Sequence, residues 1–298
     1  MSLKFFMCWT DSDPVYQAYI PETNVLVSLS HIPLSWNINR FPIMPQSLMI
    51  DSGAFNLIGN PNKSFNQSKT FQTQLNVSHG STIPTLICHL DFPIPPNITD
   101  KVEVYRRVET TLANAYEFMH LYKSSNLPAN FKSVGVIQGN NHETIRYCAR
   151  EMSRIGFDHL AIGSLASLYV ADQIVERVRA AVKVVGPELH VFGISGIEVA
   201  KELFKLGISS IDSSRPMKAS MYQCLLYFNP FRTFKIGHSN IQRNMPSLDA
   251  PLPCDCPICK KDPNLVFKVG AKSHNNLRAV HNYYHLKLEL ESIYAQTN

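Results

Sequence analysis

Short runs of apolar, often β-branched residues recur along the chain, each closed by small or polar residues. They are Phe5–Trp9, Val25–Leu29, Leu48–Ile50, Thr85–Leu90, Ser133–Ile137, His159–Ile162, His190–Phe192 and Ser209–Ile211. Their length and boundaries predict strands. Between the later runs the apolar spacing becomes helical. Val102, Tyr105, Val108, Leu112, Ala115, Tyr116 and Met119 form one stripe, and Ile145, Ala149 and Met152 a second. Ile174, Val178, Val182 and Val185 form a third, and Val199, Leu203 and Phe204 a fourth. Strand and helix alternate through short turns such as Gly156-Phe157-Asp158 and Gly207-Ile208, the pattern of βαβ units around a parallel sheet. Seven or eight such units in about 240 residues predict an α/β protein of the (β/α)8 TIM-barrel class. An open doubly wound sheet would carry a glycine fingerprint in its first turn, and the chain has neither G-x-G-x-x-G nor a P-loop.

After Lys218 the pattern weakens. Tyr222–Tyr227 reads as helical, Thr233–Ile236 as a last strand, and 244–253 as a proline-rich connection. A final helix is expected over Arg278–Ser292, with Leu277, Val280, Tyr284, Leu288 and Ile293 inward. Between connection and helix stand Cys254, Cys256 and Cys259, with His274, His281 and His285 downstream. Three thiols and one imidazole make a Cys3His set that closes a tetrahedral Zn2+ site with no open position, so the metal is expected to be structural. Spacing alone does not choose among the three histidines. The division expected is a catalytic barrel over 1–243 and a zinc-binding subdomain with closing helix over 244–298.

Composition narrows the setting. A content of 45% hydrophobic residues supplies a core, and no apolar run is long enough to span a membrane. Cys8, Cys88, Cys148 and Cys224 are scattered singly and nothing N-terminal reads as a signal peptide, so a reduced, cytoplasmic setting is expected. The net charge of +5 is compatible with a polyanionic partner but does not require one.

In parallel barrels chemistry sits just beyond the C-terminal ends of the strands. There the chain places Asp51-Ser-Gly-Ala-Phe55, Asp91-Phe-Pro93, Gln138-Gly139, Gly163-Ser-Leu165, Gly193-Ile-Ser-Gly196 and Asp212-Ser-Ser-Arg215. A lone strand-end Asp is most often a helix cap or an Asx turn. Three on one rim, with a Gln beside them, point to a site. Paired carboxylates beside a sugar suit glycosidic-bond chemistry with retention, and an Asp with a Gln suits the edge of a purine.

In this order the motifs resemble those of the tRNA-guanine transglycosylase superfamily, zinc-containing barrels that exchange guanine for a 7-deazaguanine. Asp51–Phe55 resembles its D-S-G-G/A-F/Y motif, Leu90–Pro93 its archaeal L-D-I-P, Val136–Gly139 its V-Q-G and Gly163–Leu165 its G-G-L. Cys254, Cys256 and Cys259 followed by His281-Asn282 match its metal motif, and this selects His281 as the fourth ligand. The resemblance spans roughly 24–290. It implies Asp212 as nucleophile at C1′ and Asp51 as general acid/base. It further implies Asp91 and Gln138, with Gly139, at the purine edge, Gly163 and Leu165 as backbone contacts, Phe55 as a stacking platform and Arg215 near phosphate or ribose.

The departures bear on the substrate. Ser164 replaces the second glycine of G-G-L, Ser213-Ser214-Arg215-Pro216 stands where P-T-R is expected, and Cys259 to His281 is 281 − 259 = 22 residues, a shorter step than usual. The extra RNA-binding domain of archaeal members is not expected. These features resemble the DNA 7-deazaguanine transglycosylases of phages and genomic islands, which insert preQ0 or a relative. DNA is therefore the expected partner, with tRNA as the alternative, in a cytoplasm that is the host's if the chain is phage-encoded. The family's tRNA enzymes are often homodimers, and nothing in the sequence fixes an interface.

Overall fold

A computed structural model describes residues 2–57, 66–168, 170–236 and 245–297. Strands β1 (Lys4–Trp9), β2 (Asn24–Ser28), β3 (Ser47–Asp51), β4 (Thr85–Cys88), β5 (Phe131–Ile137), β6 (His159–Ile162), β7 (Leu189–Val191) and β8 (Ser210–Ser213) form a closed barrel in sequence order. Every neighbouring pair is parallel, and β8 closes the ring on β1 with Asp212 opposite Phe6. Closure leaves no free sheet edge. Helices α1 (Gln67–Val77), α2 (Lys101–Ser124), α3 (His142–Ile155), α4 (Ala171–Val185), α5 (Ile197–Lys205) and α6 (Arg215–Met221) connect or follow the strands from β3 onward. The (β/α)8 class read from the strand runs holds, and the opening run Phe5–Trp9 supplies the first strand.

Because side chains alternate across a strand, one register lines the barrel and the other meets the helices. Phe6, Leu26, Met49, Cys88, Val134, Val136 and Ala161 pack together inside, with Cys8, Leu86 and Phe192 against them. The opposite register, including Phe5, Met7, Val25, Val27, Leu48, Ile50, Ile87 and Ile211, joins the larger core beneath the helices. Two residues beyond Met49 on the inner register is Asp51, two beyond Val136 is Gln138, and two beyond Ser210 is Asp212. The polar residues at the mouth thus continue the packed interior column by column.

Several local expectations are corrected. Tyr222–Tyr227 is not helical: Cys224–Tyr227 is strand β9, and Thr233–Ile236 is not a barrel strand, because β10 (Arg232–Lys235) pairs antiparallel with β9 outside the barrel. On α2 the stripe is rotated. Val102 and Tyr116 are exposed and Tyr105 is near the surface, while Val104, Thr111 and Phe118 are buried with Val108, Leu112, Ala115 and Met119. The last helix, α7, runs Lys272–Thr297, and its deepest positions include Tyr283, Leu286 and Leu290 alongside Val280 and Ile293, with Leu277, Tyr284 and Leu288 only half-buried. The subdomain junction expected at 243/244 lies outside the described residues. Among the described residues no helix is long and apolar enough to cross a membrane.

The free edge of β9 is completed by side chains of α7. Asn282 Oδ1 accepts from Leu226 N at 2.8 Å, its amide donates to Cys224 O and Pro216 O at 3.0 and 3.2 Å, and His285 Nδ1 accepts from Phe228 N at 3.0 Å. Arg278, fully buried, donates to Val266 O and Ser220 O at 2.9 and 2.8 Å and to Lys268 O. Buried backbone polar groups must be met, and here one helix meets those of β9 and of the end of α6. Asn282→Ala takes from the β9 edge the side-chain partners of Leu226 N and Cys224 O, at about 1–3 kcal/mol each. The expected result is a fall in thermal midpoint of many degrees, read by calorimetry.

Candidate active site

The strand-end carboxylates meet at one mouth of the barrel. Asp212 ends the inner register of β8 and is 4% exposed. Its Oδ1 accepts from Gly193 N at 2.9 Å and lies 3.1 Å from His190 Nε2, while its Oδ2 accepts from the Cys8 thiol at 3.0 Å. His190 is itself held by Ser210 Oγ at 2.8 Å from Nδ1. Three elements therefore aim this carboxylate: β1 through Cys8, β7 and its following turn through His190 and Gly193, and β8. Burial raises the Cys8 thiol pKa well above its ordinary value, with Asp212 adding to the effect, so Cys8 is a donor.

Asp51 ends β3 on the same inner register. Its Oδ2 accepts from Ser28 Oγ at 2.8 Å and from Gly53 N at 3.1 Å. Gly53 sits at φ +81°, and a Cβ there would come within 2.9 Å of Ser30 N, so the turn that aims its amide at Asp51 is a glycine turn. Burial pushes the Asp51 carboxyl pKa up; the two donors oppose this, and the charge of Asp212 raises it further. Proximity between the two groups is therefore electrostatic as well as topological.

Asp91 lies just past β4. Its Oδ2 accepts from Gln138 Nε2 at 2.5 Å and its Oδ1 from Ser52 Oγ at 3.3 Å. Burial, and then the Asp51 charge, raise its pKa to about 7. Gln138 Oε1 accepts from Ser164 Oγ at 2.6 Å, and Ser164 Oγ accepts from Ile94 N at 2.7 Å. The amide lies so close to Gly163 that any Cβ there would collide with Gln138 Nε2. Gly163 N is committed to Ile137 O at 3.1 Å, and Leu165 is buried beneath the turn. At Gly139 a Cβ would meet Ile145 N at 2.6 Å, so the chain can pass only as glycine against the first turn of α3.

Phe55 projects half-exposed from a short turn after β3. Arg215 does not reach freely outward: its Nη1 donates to Ser195 O at 2.8 Å, its Nη2 to Thr233 Oγ1 at 3.4 Å, and its guanidinium lies 5.1 Å from the Phe231 ring centre. A cleft of about 820 Å3 lined by Ile98, Asn140, Glu143, Leu168 and Arg177 flanks the β4–β6 loops and contains none of the three carboxylates. Sequence reasoning missed Cys8, Ser28, Ser52 and His190, and took Ser164 as a departure and as a small residue beside Gly163, not as a hydrogen-bonding side chain. For the first four the signal was available, since each shares the inner-register parity of a carboxylate or adjoins one.

Away from the mouth, Cys254, Cys256, Cys259 and His281 form a set that could hold a metal ion, their ligand atoms all within 4.8 Å of one another. His281 Nδ1 lies 3.7, 3.4 and 3.4 Å from the three sulfurs in turn, and its Nε2 is 3.0 Å from Leu226 O. Tetrahedral coordination at ordinary Zn–S and Zn–N lengths puts nitrogen about 3.5 Å from each sulfur. The carbonyl fixes the tautomer that leaves Nδ1 bare toward the sulfurs. His274 instead faces Val269 O, and of the three sulfurs His285 Nε2 meets that of Cys254, at 3.1 Å.

A family model described as queuine tRNA-ribosyltransferase matches residues 27–296. A tRNA-guanine(15) transglycosylase of Thermococcus kodakarensis is 26% identical over 254 residues, covering 82% of this chain and 39% of that protein. A queuine tRNA-ribosyltransferase of Helicobacter pylori strain G27 is 23% identical over 273 residues, covering 85% of this chain and 72% of that protein. A DNA-guanine transglycosylase of Salmonella montevideo is 28% identical over 118 residues, covering 39% of this chain and 27% of that protein.

The raised Asp91 carboxyl has a thermodynamic signature. Its folded pKa of about 7 exceeds the ordinary 3.8, so between those values the native protein holds a proton that the unfolded chain has released. Stability therefore falls as pH rises through that window. Asp91→Asn cannot ionise, so wild-type stability relative to this variant should drop by about 3 kcal/mol between pH 4 and 7, read from denaturant midpoints.

Proposed function

Because the chain belongs to the queuine tRNA-ribosyltransferase family, we propose that it exchanges guanine for a 7-deazaguanine such as preQ0 in nucleic acid, with DNA as the substrate. The observation that carries the reading is the pair Asp212 and Asp51, on the same inward register at one barrel mouth and each within the other's electrostatic reach. Asp212 Oδ1 is occupied by a backbone amide and a histidine, whereas Oδ2 meets only a thiol, a weak donor. Oδ2 is thus the freer nucleophile. It attacks C1′ of the target nucleoside, the C1′–N9 bond breaks with its electron pair leaving on the base, and a glycosyl ester forms.

Asp51 supplies the proton to the departing guanine. Both of its donors converge on Oδ2, leaving Oδ1 to carry a proton, and burial raises its pKa above the ordinary carboxylate value. The incoming base then returns a proton to Asp51 as its nitrogen attacks C1′ and the ester opens, and two displacements retain configuration. Asp91 and Gln138 read the base edge and Phe55 stacks on its plane. The target nucleotide must leave the duplex to reach this buried site, at a cost of a few kcal/mol.

Cys254, Cys256, Cys259 and His281 would hold Zn2+, which with all four positions filled by protein contributes folding energy and no chemistry. DNA is favoured over tRNA by Ser213-Ser214-Arg215-Pro216, by the short Cys259–His281 step and by the relative named for DNA. The tRNA reading has its own support, since relatives named for tRNA align over far more of the chain.

Nucleoside mass spectrometry of DNA and tRNA from cells expressing the chain with a preQ0 supply tests the reading. A 7-deazaguanine in DNA is expected; its appearance in tRNA alone would establish the alternative. Asp212→Asn should lower exchange by about 10^4-fold or more and yield no covalent DNA adduct, with an unchanged melting curve. Chelation of metal, or Cys256→Ser, should instead lower the thermal midpoint sharply.

A further inference from the structure

Ser164 stands at φ +58°, in the left-handed region that glycine occupies without strain. A serine here bears a local cost, so its side chain invites an account. The residue is 8% exposed and its hydroxyl is engaged on both sides: it accepts from Ile94 N and donates to Gln138 Oε1. The backbone donor at Ile94 leaves the serine proton directed at Gln138. Gln138 in turn directs Nε2 at Asp91 Oδ2. The result is a one-way chain of donors from Ile94 through Ser164 and Gln138 to Asp91.

We infer that Ser164 is a specificity-determining positioning residue: by locking the Gln138 amide in one orientation, it makes the pocket accept 6-oxo purines and reject 6-amino purines. An amide has two N–H groups, and one is given to Asp91, so what Gln138 has left for a ligand is a donor. Asp91 keeps acceptor capacity beyond the bonds from Gln138 and Ser52. Donor beside acceptor complements the guanine-type edge, where O6 accepts and N1–H and the 2-amino group donate. An adenine-type edge is reversed, with an amine facing the Gln138 N–H. A flipped amide would accommodate that amine, but it would strand the Ser164 proton and turn Gln138 Oε1 toward the Asp91 oxygen. Flipping becomes cheaper only when Asp91 carries a proton to donate, and its pKa of about 7 makes that form common near neutrality. Without Ser164 the lock would be weakest under ordinary conditions.

The inference rests on the base-exchange reading only in taking purine-type bases as ligands. Its test is calorimetric titration of guanine, 7-deazaguanine and adenine into the wild type, Ser164→Gly and Ser164→Ala, with melting curves and base-exchange assays alongside. Glycine relieves the backbone strain and removes the hydroxyl; alanine removes the hydroxyl alone. The expected result is a guanine-over-adenine preference that falls about tenfold in both variants, while Ser164→Gly, relieved of the backbone strain, melts above Ser164→Ala. In exchange assays KM for the base rises more than kcat falls. An unchanged preference ratio, whatever happens to stability, overturns the inference, as does a wild type that does not discriminate. A ratio that collapses as expected in a protein that exchanges no base into DNA or tRNA would sink the proposed function and leave this inference standing.

Discussion

A carboxylate buried in protein is tolerated only where hydrogen-bond donors replace the water it has lost. Asp51, Asp91 and Asp212 all end within one mouth, and their donors come from other elements: Ser28 from β2, Gly53 from the turn after β3, Gln138 from β5, Cys8 from β1, His190 and Gly193 from β7 and its turn. That arrangement exists only in a closed ring. Were β8 not paired with β1, Asp212 would lose Cys8 and its place among the others. The packed interior column beneath, from Phe6 and Met49 to Val136, fills the barrel so that the polar layer has one level at which to sit.

The Cys3His cluster is remote from this layer yet not independent of it. His281 joins the sulfurs through Nδ1 and the β9 carbonyl of Leu226 through Nε2, and its neighbour Asn282 bonds β9 and Pro216 O in α6. Helix α6 begins at Arg215, directly after β8 and three residues beyond Asp212. Arg215 bonds Ser195 O, in the turn whose Gly193 amide holds Asp212. Mechanical continuity therefore runs from the cluster to the floor of the site through hydrogen bonds that are mostly buried.

How much of this could be read from the chain follows from what hydrophobic pattern encodes. Barrel strands are buried on both faces, so runs such as Leu48–Ile50 and Ser133–Val136 stand out, and the polar residue ending each run marks the mouth. Helix α1 was invisible because its buried face is Gln67, Thr70, Phe71 and Gln74. These are polar residues spent on strand ends: Gln67 accepts from Leu90 N, and Gln74 donates to Cys88 O and Ile50 O. Strand β9 misled for the opposite reason. Its four consecutive buried residues carry no period of two, and its second edge is completed by helix side chains from more than fifty positions away. The α2 stripe was misplaced because Tyr105 projects to the surface to bond Glu143, while Thr111 turns inward to hold Phe92 N.

The donors also explain why three acids so close together need not behave alike. Like charges in one low-dielectric space oppose joint ionisation, so protons are shared out according to local stabilisation. Asp212 has an amide, a histidine and a thiol arranged about both oxygens. Asp51 has two donors on a single oxygen, which leaves the other open for a proton. Asp91 is held by a neutral amide and a long serine contact, and burial raises its pKa to about 7. A group that moves between acid and carboxylate near neutrality changes its hydrogen-bonding polarity with its proton. The neighbouring Gln138 supplies the fixed polarity that Asp91 lacks, and it does so only while its own carbonyl is held from the other side by Ser164.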